Sequence, residues 1–564
     1  MPALLLAVAM GISAGCGRND TQRGSPSISS TSAAPPATPR PAAAPAAASA
    51  PAAFRDVTRD ARLAFTHQLA DGQLSNIMES DGAGGTILDF DGDGWMDVYL
   101  VNSGPDPVIS DAPPGTPREP NRLFRNLANG TFADVTEKAG VAGHGFGTTA
   151  AAADYDNDGD TDLLVVNFGS LILYRNRGDG TFEDVTAAAG LRNPGPGIAA
   201  TFFDADLDGK LDLFVGNYLE FDPKVKPEPG STVPYPGPLS YASEFNVLYR
   251  NRGDGTFEDI REAAGIRVPG HRAMGVGAFD YDRDGDQDLY VSNDGTANLL
   301  LENDGHGRFR DVALVRGAGF NQFGAAGGSM AAAIGDANGD GLPDLFVTRF
   351  DQPSLYLNSQ GGLFEDRIVA SGILELAAQL VGWGGGFLDY DLDGDADLFI
   401  ANGDPHFRKG MPALLLENAG NARFTSVGGR AGALPGNPVN GRGCGIFDFD
   451  NDGRLDVVIS TLGGDAVLLH NEVATTHHWL TLRLEGTRGS RDGFGAWVEV
   501  MAGGHTQTAE ARCPTAYVFQ HDPRLHFGLG DASVVDRMTI RWPGGHVQEL
   551  KEVPANQILT VRER

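Results

Sequence analysis

The sequence predicts an all-β protein, a seven-bladed β-propeller followed by a small β-sandwich. Three observations predict it. A nine-residue acidic loop recurs seven times along the 564 residues. Gly accounts for 77 positions, about twice its usual share, which suits strands joined by tight turns. The two ends of the repeat array are out of phase, and only a closed ring brings them back into register.

The loop reads Asp-x-Asp/Asn-x-Asp-Gly-x-x-Asp and begins at Asp89, Asp154, Asp204, Asp280, Asp336, Asp389 and Asp448, a mean spacing of about 60 residues. Carboxylates at positions 1, 3 and 5 of a tight loop turn their oxygens onto one cation. The Gly at position 6 permits the sharp turn, and the Asp at position 9 closes the cage. The expected ligands are Asp89, Asp91, Asp93 and Asp97; Asp154, Asp156, Asp158 and Asp162; Asp204, Asp206, Asp208 and Asp212; and Asp280, Asp282, Asp284 and Asp288. They continue with Asp336, Asn338, Asp340 and Asp344; Asp389, Asp391, Asp393 and Asp397; and Asp448, Asp450, Asp452 and Asp456. All-oxygen, flexible coordination favours Ca²⁺ over Mg²⁺, so up to seven structural Ca²⁺ are expected. Asn338 leaves the fifth loop with three carboxylates and predicts weaker binding there. Without a cation such loops would repel themselves apart, so bare Asp-capped turns are the lesser reading.

Around each loop the repeat reads as four strands. A enters the loop and B leaves it, as in Gly85–Leu88 and Val98–Val101. C is a Leu-Phe/Tyr-Arg-Asn phrase ending at Asn126, Asn176 or Asn251, and D is a Phe-x-Asp-Val phrase after a Gly-bearing turn. Phe54-Arg-Asp-Val-Thr58 is a D strand with no A, B or C before it, and Leu468-Leu-His-Asn471 is a C strand with no D after it. The first D strand is therefore expected to complete the last blade, closing a propeller over 54–472 and protecting its sheet edges. From 473 to 564 short alternating strands bounded by Gly and Pro predict a β-sandwich.

The amino terminus reads as an address. Residues 1–16 form a short apolar run ending in Ser13-Ala14-Gly15-Cys16, an export segment. It resembles a bacterial lipoprotein signal, which would make Cys16 the lipidated residue. Residues 17–53, rich in Ser, Thr, Ala and Pro, read as a disordered tether.

The repeats resemble the FG-GAP/VCBS family, found in integrin α-chain propellers and bacterial surface proteins. The carboxy-terminal phrases resemble the ASPIC/UnbV domain, and the pairing of the two is similar to the cartilage acidic protein-like family. The resemblance implies Ca²⁺ in each A–B loop, all on one face of the disc, and a ligand surface on the other. Where that domain usually carries Gly-Tyr-x-Ser, this chain has Pro514-Thr-Ala-Tyr-Val-Phe519.

The metal-free face would be built by D–A and B–C connections. The third B–C connection is a long Pro-rich insert from Phe221 to Asn246 holding Tyr235 and Tyr241, and the sixth carries His406, Phe407, Arg408 and Lys409. The D–A segments contribute His144, His271, Trp383 and Arg442. Aromatics, imidazoles and guanidiniums around a channel mouth suit a glycan or an anionic group, so a glycan or protein is the expected partner. A rival reading is a carbohydrate-active enzyme of lyase or dehydratase type, with His144, His271 and Arg442 meeting across the mouth.

Charge and composition exclude several classes. Lys and Arg number 43 against 74 Asp and Glu, a formal charge of −31, which opposes nucleic acid as a partner. Membrane contact is expected only through the lipid anchor. No Gly-x-Ser-x-Gly, His-Glu-x-x-His or phosphate-binding Gly loop is present, so no catalytic residue is assigned. Cys444 and Cys513 read as two buried thiols.

Overall fold

The computed structural model describes residues 53–70, 72–427 and 438–564. Cys16, the export segment and the tether up to residue 52 lie outside the described residues. Among the described residues, the strands from 54 to 471 form seven four-stranded antiparallel meanders in the order A–B–C–D. Blade 1 comprises Gly85–Leu88, Asp97–Leu100, Arg122–Asn126 and Phe132–Asp134. The same meander restarts at Gly147, Gly197, Ala273, Gly327 and Gly382 for blades 2 to 6.

Blade 7 supplies Gly441–Phe447, Asp456–Thr461 and Val467–Asn471, and takes its D strand from Phe54–Asp56. Phe54 stands opposite Asn471 and Asp56 opposite Leu469, so the out-of-phase first D strand closes the ring. Inner A strands are largely buried and rich in small residues, as in Gly147–Ala153 with its four alanines. B strands such as Asp162–Asn167 are buried on both faces because each blade packs between two others.

A polar ladder links the blades. The Asn that ends each C strand donates through Nδ2 to a backbone carbonyl of the preceding blade's loop. Asn176 bonds Phe90 O at 2.7 Å, Asn251 bonds Tyr155 O at 2.8 Å and Asn303 bonds Ala205 O at 2.9 Å. Asn358, Asn418 and Asn471 reach Tyr281, Ala337 and Tyr390 at 2.7–2.8 Å.

The remaining strands form two sheets. One has Leu525–Gly530, His478–Glu485 and Gln557–Arg562, and the other His505–Glu510, Trp497–Ala502, Val534–Arg541 and Val547–Pro554. Leu480, Leu482, Val498, Phe527, Met538 and Ile540 fill the space between them, which makes this part a β-sandwich. Cys444 and Cys513 are buried free thiols.

The segment Pro514–Gln520 leaves the sandwich and enters the propeller channel. Phe519 and Gln520 pair in parallel with Gly85 and Thr86 of blade 1. Gln520 holds Ala152 of blade 2 through both amide atoms, at 2.7 and 2.9 Å. Thr515 donates to Val276 O of blade 4 at 2.6 Å, and Tyr517 bridges Gly275. Small inner residues are what let this plug in: a Cβ on Gly84 would lie 2.3 Å from Val518 O.

Candidate metal centres and the metal-free face

Each acidic loop is held by its own backbone. The position-1 carboxylate accepts from the position-6 Gly N–H, at 3.1 Å for Asp89 and Gly94 and 2.8 Å for Asp154 and Gly159. Position 4 is left-handed in every loop, with φ 60° at Asn157, 57° at Leu207, 63° at Arg283 and 64° at Leu392. Residues other than Gly occupy that region only when their surroundings enforce it. The position-9 carboxylate takes the position-2 N–H and the backbone N–H of the ladder Asn, as Asp97 does from Phe90 at 3.1 Å and Asn126 at 2.7 Å.

The carboxylates face one another. Oxygens of Asp89, Asp91 and Asp97 lie within 4.8 Å of each other, as do those of Asp154, Asp156 and Asp162, of Asp204, Asp206 and Asp212, and of Asp280, Asp282 and Asp288. Burial pushes Asp162 and Asp397 up to about 9 and Asp344 up to about 8, with neighbouring carboxylates adding to it. Asp154 and Asp448 rise to about 7 for the same first reason.

Orphaned oxygens test the fit for a cation. Oδ1 of Asp91, Asp206, Asp282, Asp391 and Asp450 is shielded from solvent and makes no hydrogen bond. These atoms occupy position 3 of five separate loops, and buried polar atoms are rarely left unpaired. The acidic clusters therefore suit metal binding. The fifth loop differs: Asn338 satisfies itself on Asp340, accepting from its N–H and donating to its carboxylate, each at 3.0 Å.

The β-sandwich lies on this acidic face. Asp492 accepts from Asp154 N at 2.9 Å, and Glu510 accepts from Asp280 N at 3.0 Å and from Gln287 at 2.8 Å. Arg483 reaches Asp89 at 3.3 Å, Gly530 N donates to Leu392 O at 2.9 Å and His526 meets Gly453 O at 2.8 Å. A cavity of about 860 Å³ remains between the sandwich and the loops of blades 5 and 6, lined by Asp336, Asp389, Asp393, Gln507 and Thr508.

The metal-free face departs from the expected open ring of side chains. Trp383 and Arg442 are buried at 2 % and 0 % exposure, with the Arg442 guanidinium 3.9 Å over the indole. Arg442 is spent on Ser80 O at 2.7 Å, Asn440 Oδ1 at 3.1 Å and Asp404 O at 3.2 Å. Tyr235 and Tyr241 are also buried. The Pro-rich insert folds inward as a strap from blade 3 to blade 6. Tyr235 donates to Pro405 O and packs 5.2 Å from the His406 ring, while Tyr241 packs 5.9 Å from Phe221. The insert is apolar enough to join the core, which is why its tyrosines leave the surface.

His144 is exposed, and His271 is half-buried with Nδ1 3.1 Å from Ala297 O. No contact joins His144, His271 and Arg442 among the described residues, so the structure does not bring them together. What the face does expose is an aromatic group that includes a residue the sequence reading left unassigned. Phe350 is 46 % and Phe407 63 % exposed, and their rings lie 6.2 and 6.0 Å from His406 between them.

A ring of acidic-loop blades closed by its own first strand defines an FG-GAP-type propeller, and the chain belongs to the FG-GAP-like repeat family. That family matches residues 89–165, 154–215, 239–291, 280–347, 336–400 and 389–459, and the ASPIC and UnbV family matches 486–564. Among curated proteins, the chain is similar to cartilage acidic protein 1 of Homo sapiens, 25 % identical over 311 residues. The match covers 53 % of this chain and 37 % of that protein. The Xenopus tropicalis protein of the same name is 22 % identical over 338 residues, covering 56 % and 41 %. The match thus spans about two-fifths of these relatives' length.

Among solved structures, an Agrocybe aegerita lectin recognising non-reducing terminal N-acetylglucosamine aligns at 19 % identity and TM-score 0.38. It covers 68 % of this chain and 86 % of the lectin. The exotype rhamnogalacturonan lyase YesX aligns at 15 % and 0.35, covering 69 % and 72 %. Among the described residues no helix is long and apolar enough to cross a membrane.

Proposed function

We propose that this is an exported, Ca²⁺-stabilised propeller, tethered to the cell envelope through lipidated Cys16, that binds a glycan or protein ligand on its metal-free face. The observation that carries the reading is the division of the two faces. The acidic face is covered by the β-sandwich, whereas the opposite face exposes Phe350 and Phe407 around His406. Exposed aromatic rings in a group offer apolar faces for stacking on a pyranose ring. Glycan is therefore the preferred ligand, and a protein partner the alternative.

In this reading Ca²⁺ is structural. It would be held by the position-1, -3, -5 and -9 side chains of the loops and would neutralise carboxylates that burial otherwise keeps protonated. The backbone-held loops orient those oxygens.

A glycan array on Ca²⁺-loaded protein, with product assays on every hit, tests the proposal. Binding without turnover that is lost in Phe350→Ala and Phe407→Ala supports it. Binding that survives both substitutions overturns the assignment of the face, and turnover overturns the binding-only reading. For the anchor, Cys16→Ala should move the protein from the membrane fraction to the soluble fraction.

A further inference from the structure

One loop differs from the others in the side chain that stands over it. The residue before each ladder Asn is Arg125, Arg175, Arg250, Glu302, Leu357 and Glu417 in blades 1 to 6, and His470 in blade 7. In blade 1 this position neutralises the loop, with Arg125 pairing Asp91 at 2.5 Å and Asp93 at 3.1 Å. In blade 7 it places an imidazole over the loop instead. His470 Nε2 lies 3.3 Å from Asp450 Oδ2, and donor atoms of Asp450, Asp452 and His470 all fall within 4.8 Å of one another.

Two atoms of that group are unspent. His470 Nε2 and Asp450 Oδ1 are both shielded from solvent and neither makes a hydrogen bond. The ring's orientation is fixed from its other sides. Nδ1 lies 3.7 Å from Glu472 Oε1, whose carboxylate is itself held by Arg55 at 2.5 Å. Phe449 meets the ring edge-on at 5.5 Å and 84°. Carboxylates thus flank both ring nitrogens, and an ion taking Nε2 and Asp450 would leave Nδ1 facing Glu472, the way histidines are held when they bind metals. Arg454 pairs with Asp452 and would swing aside or stay on its outer oxygen.

Imidazole is a poor ligand for Ca²⁺ and Mg²⁺, which take oxygen, and a good one for divalent transition ions. We propose that the blade-7 loop is a mixed imidazole–carboxylate site for a divalent transition-metal ion, ligated by His470 Nε2, Asp450 and Asp452. The proposal rests on the reading of the acidic loops as cation sites, and it makes this one loop the exception to Ca²⁺.

The test uses the whole chain in excess Ca²⁺, with Co²⁺ as the spectroscopic probe. One equivalent of Co²⁺ should bind against Ca²⁺ and give a visible d–d band. His470→Gln should weaken Co²⁺ binding at least tenfold, while the Ca²⁺-dependent rise in Tm stays as in the parent. In the unsubstituted protein, Cu²⁺ at one equivalent should show ¹⁴N modulation from the remote imidazole nitrogen in pulsed EPR, a readout that needs no variant to fold. Displacement of Co²⁺ by Ca²⁺, an equal affinity in His470→Gln, or absence of ¹⁴N modulation would each overturn the proposal. If Ca²⁺ leaves Tm unchanged while Co²⁺ binds through His470, the calcium reading fails and this one stands.

Discussion

Asn126 Nδ2 donates to Phe449 O at 2.7 Å and so hooks the first blade onto the last. It is the seventh rung of the asparagine ladder, and it joins residues 323 positions apart in sequence. The same side chain donates to Met96 O at 3.2 Å, while its backbone N–H serves Asp97. One residue type thus ties loop, strand and neighbouring blade together in every repeat.

Asn126→Ala should destabilise the protein by about 1–3 kcal/mol, because it leaves buried carbonyls without a donor. Chemical denaturation against the parent measures this. A loss below about 0.5 kcal/mol would show that water takes over the bond.

The Tyr517 and Trp383 rings sit 5.2 Å apart in the channel. Tyr517→Ala should cost about 3–5 kcal/mol, as expected for emptying a buried aromatic site. Gly84→Ala should act on the next residue of the same plug, since its Cβ would strike Val518 O. Both variants should become sensitive to limited proteolysis between the propeller and the sandwich. Resistance equal to the parent's would show that the plug is not needed for docking.

His67 should make the protein acid-sensitive. Burial lowers its pKa to about 3, with the positive charges of Arg442 and Arg408 adding to the effect, and its ring is used by Ser103 at 2.9 Å and Gly463 N at 3.2 Å. The neutral form is the one that folds, so its contribution is complete above pH 6.5 and is lost as pH falls from there towards 3. The loss should approach about 1.4 kcal/mol per pH unit in that window. Stability against pH in the parent and in His67→Gln measures it. A variant with an unchanged slope would remove His67 as the cause.

Chelation should lower Tm, and returning Ca²⁺ should restore it. Each loop saturated a hundredfold over its Kd adds about 2.7 kcal/mol. Asp162→Asn should remove one such increment, whereas a change at Asn338 should matter less because that loop already satisfies itself. Calorimetry across a Ca²⁺ titration reads both. A Tm indifferent to chelator would refute the calcium reading.

Much of the fold is legible in the sequence. Loop chemistry is confined to nine residues, so spacing alone exposed it, and the displaced strand Phe54–Asp56 disclosed how the ring closes. The ladder was half-visible: the Asn ending each C phrase repeats, but its partners lie in another blade. Glu510 and Asp492 gave no sequence signal at all, being single carboxylates whose meaning depends on docking.

The sequence by itself determined the class of protein, the blade repeat and the acidic loops, because each of those is written in contacts between near neighbours. Only the tertiary structure decided that Trp383, Arg442, Tyr235 and Tyr241 are core rather than ligand surface, and that Phe350 and Phe407 stay exposed. It also decided that Pro514–Gln520 fills the channel. Burial across a ring depends on segments hundreds of residues apart meeting at one axis, and no local pattern records that meeting.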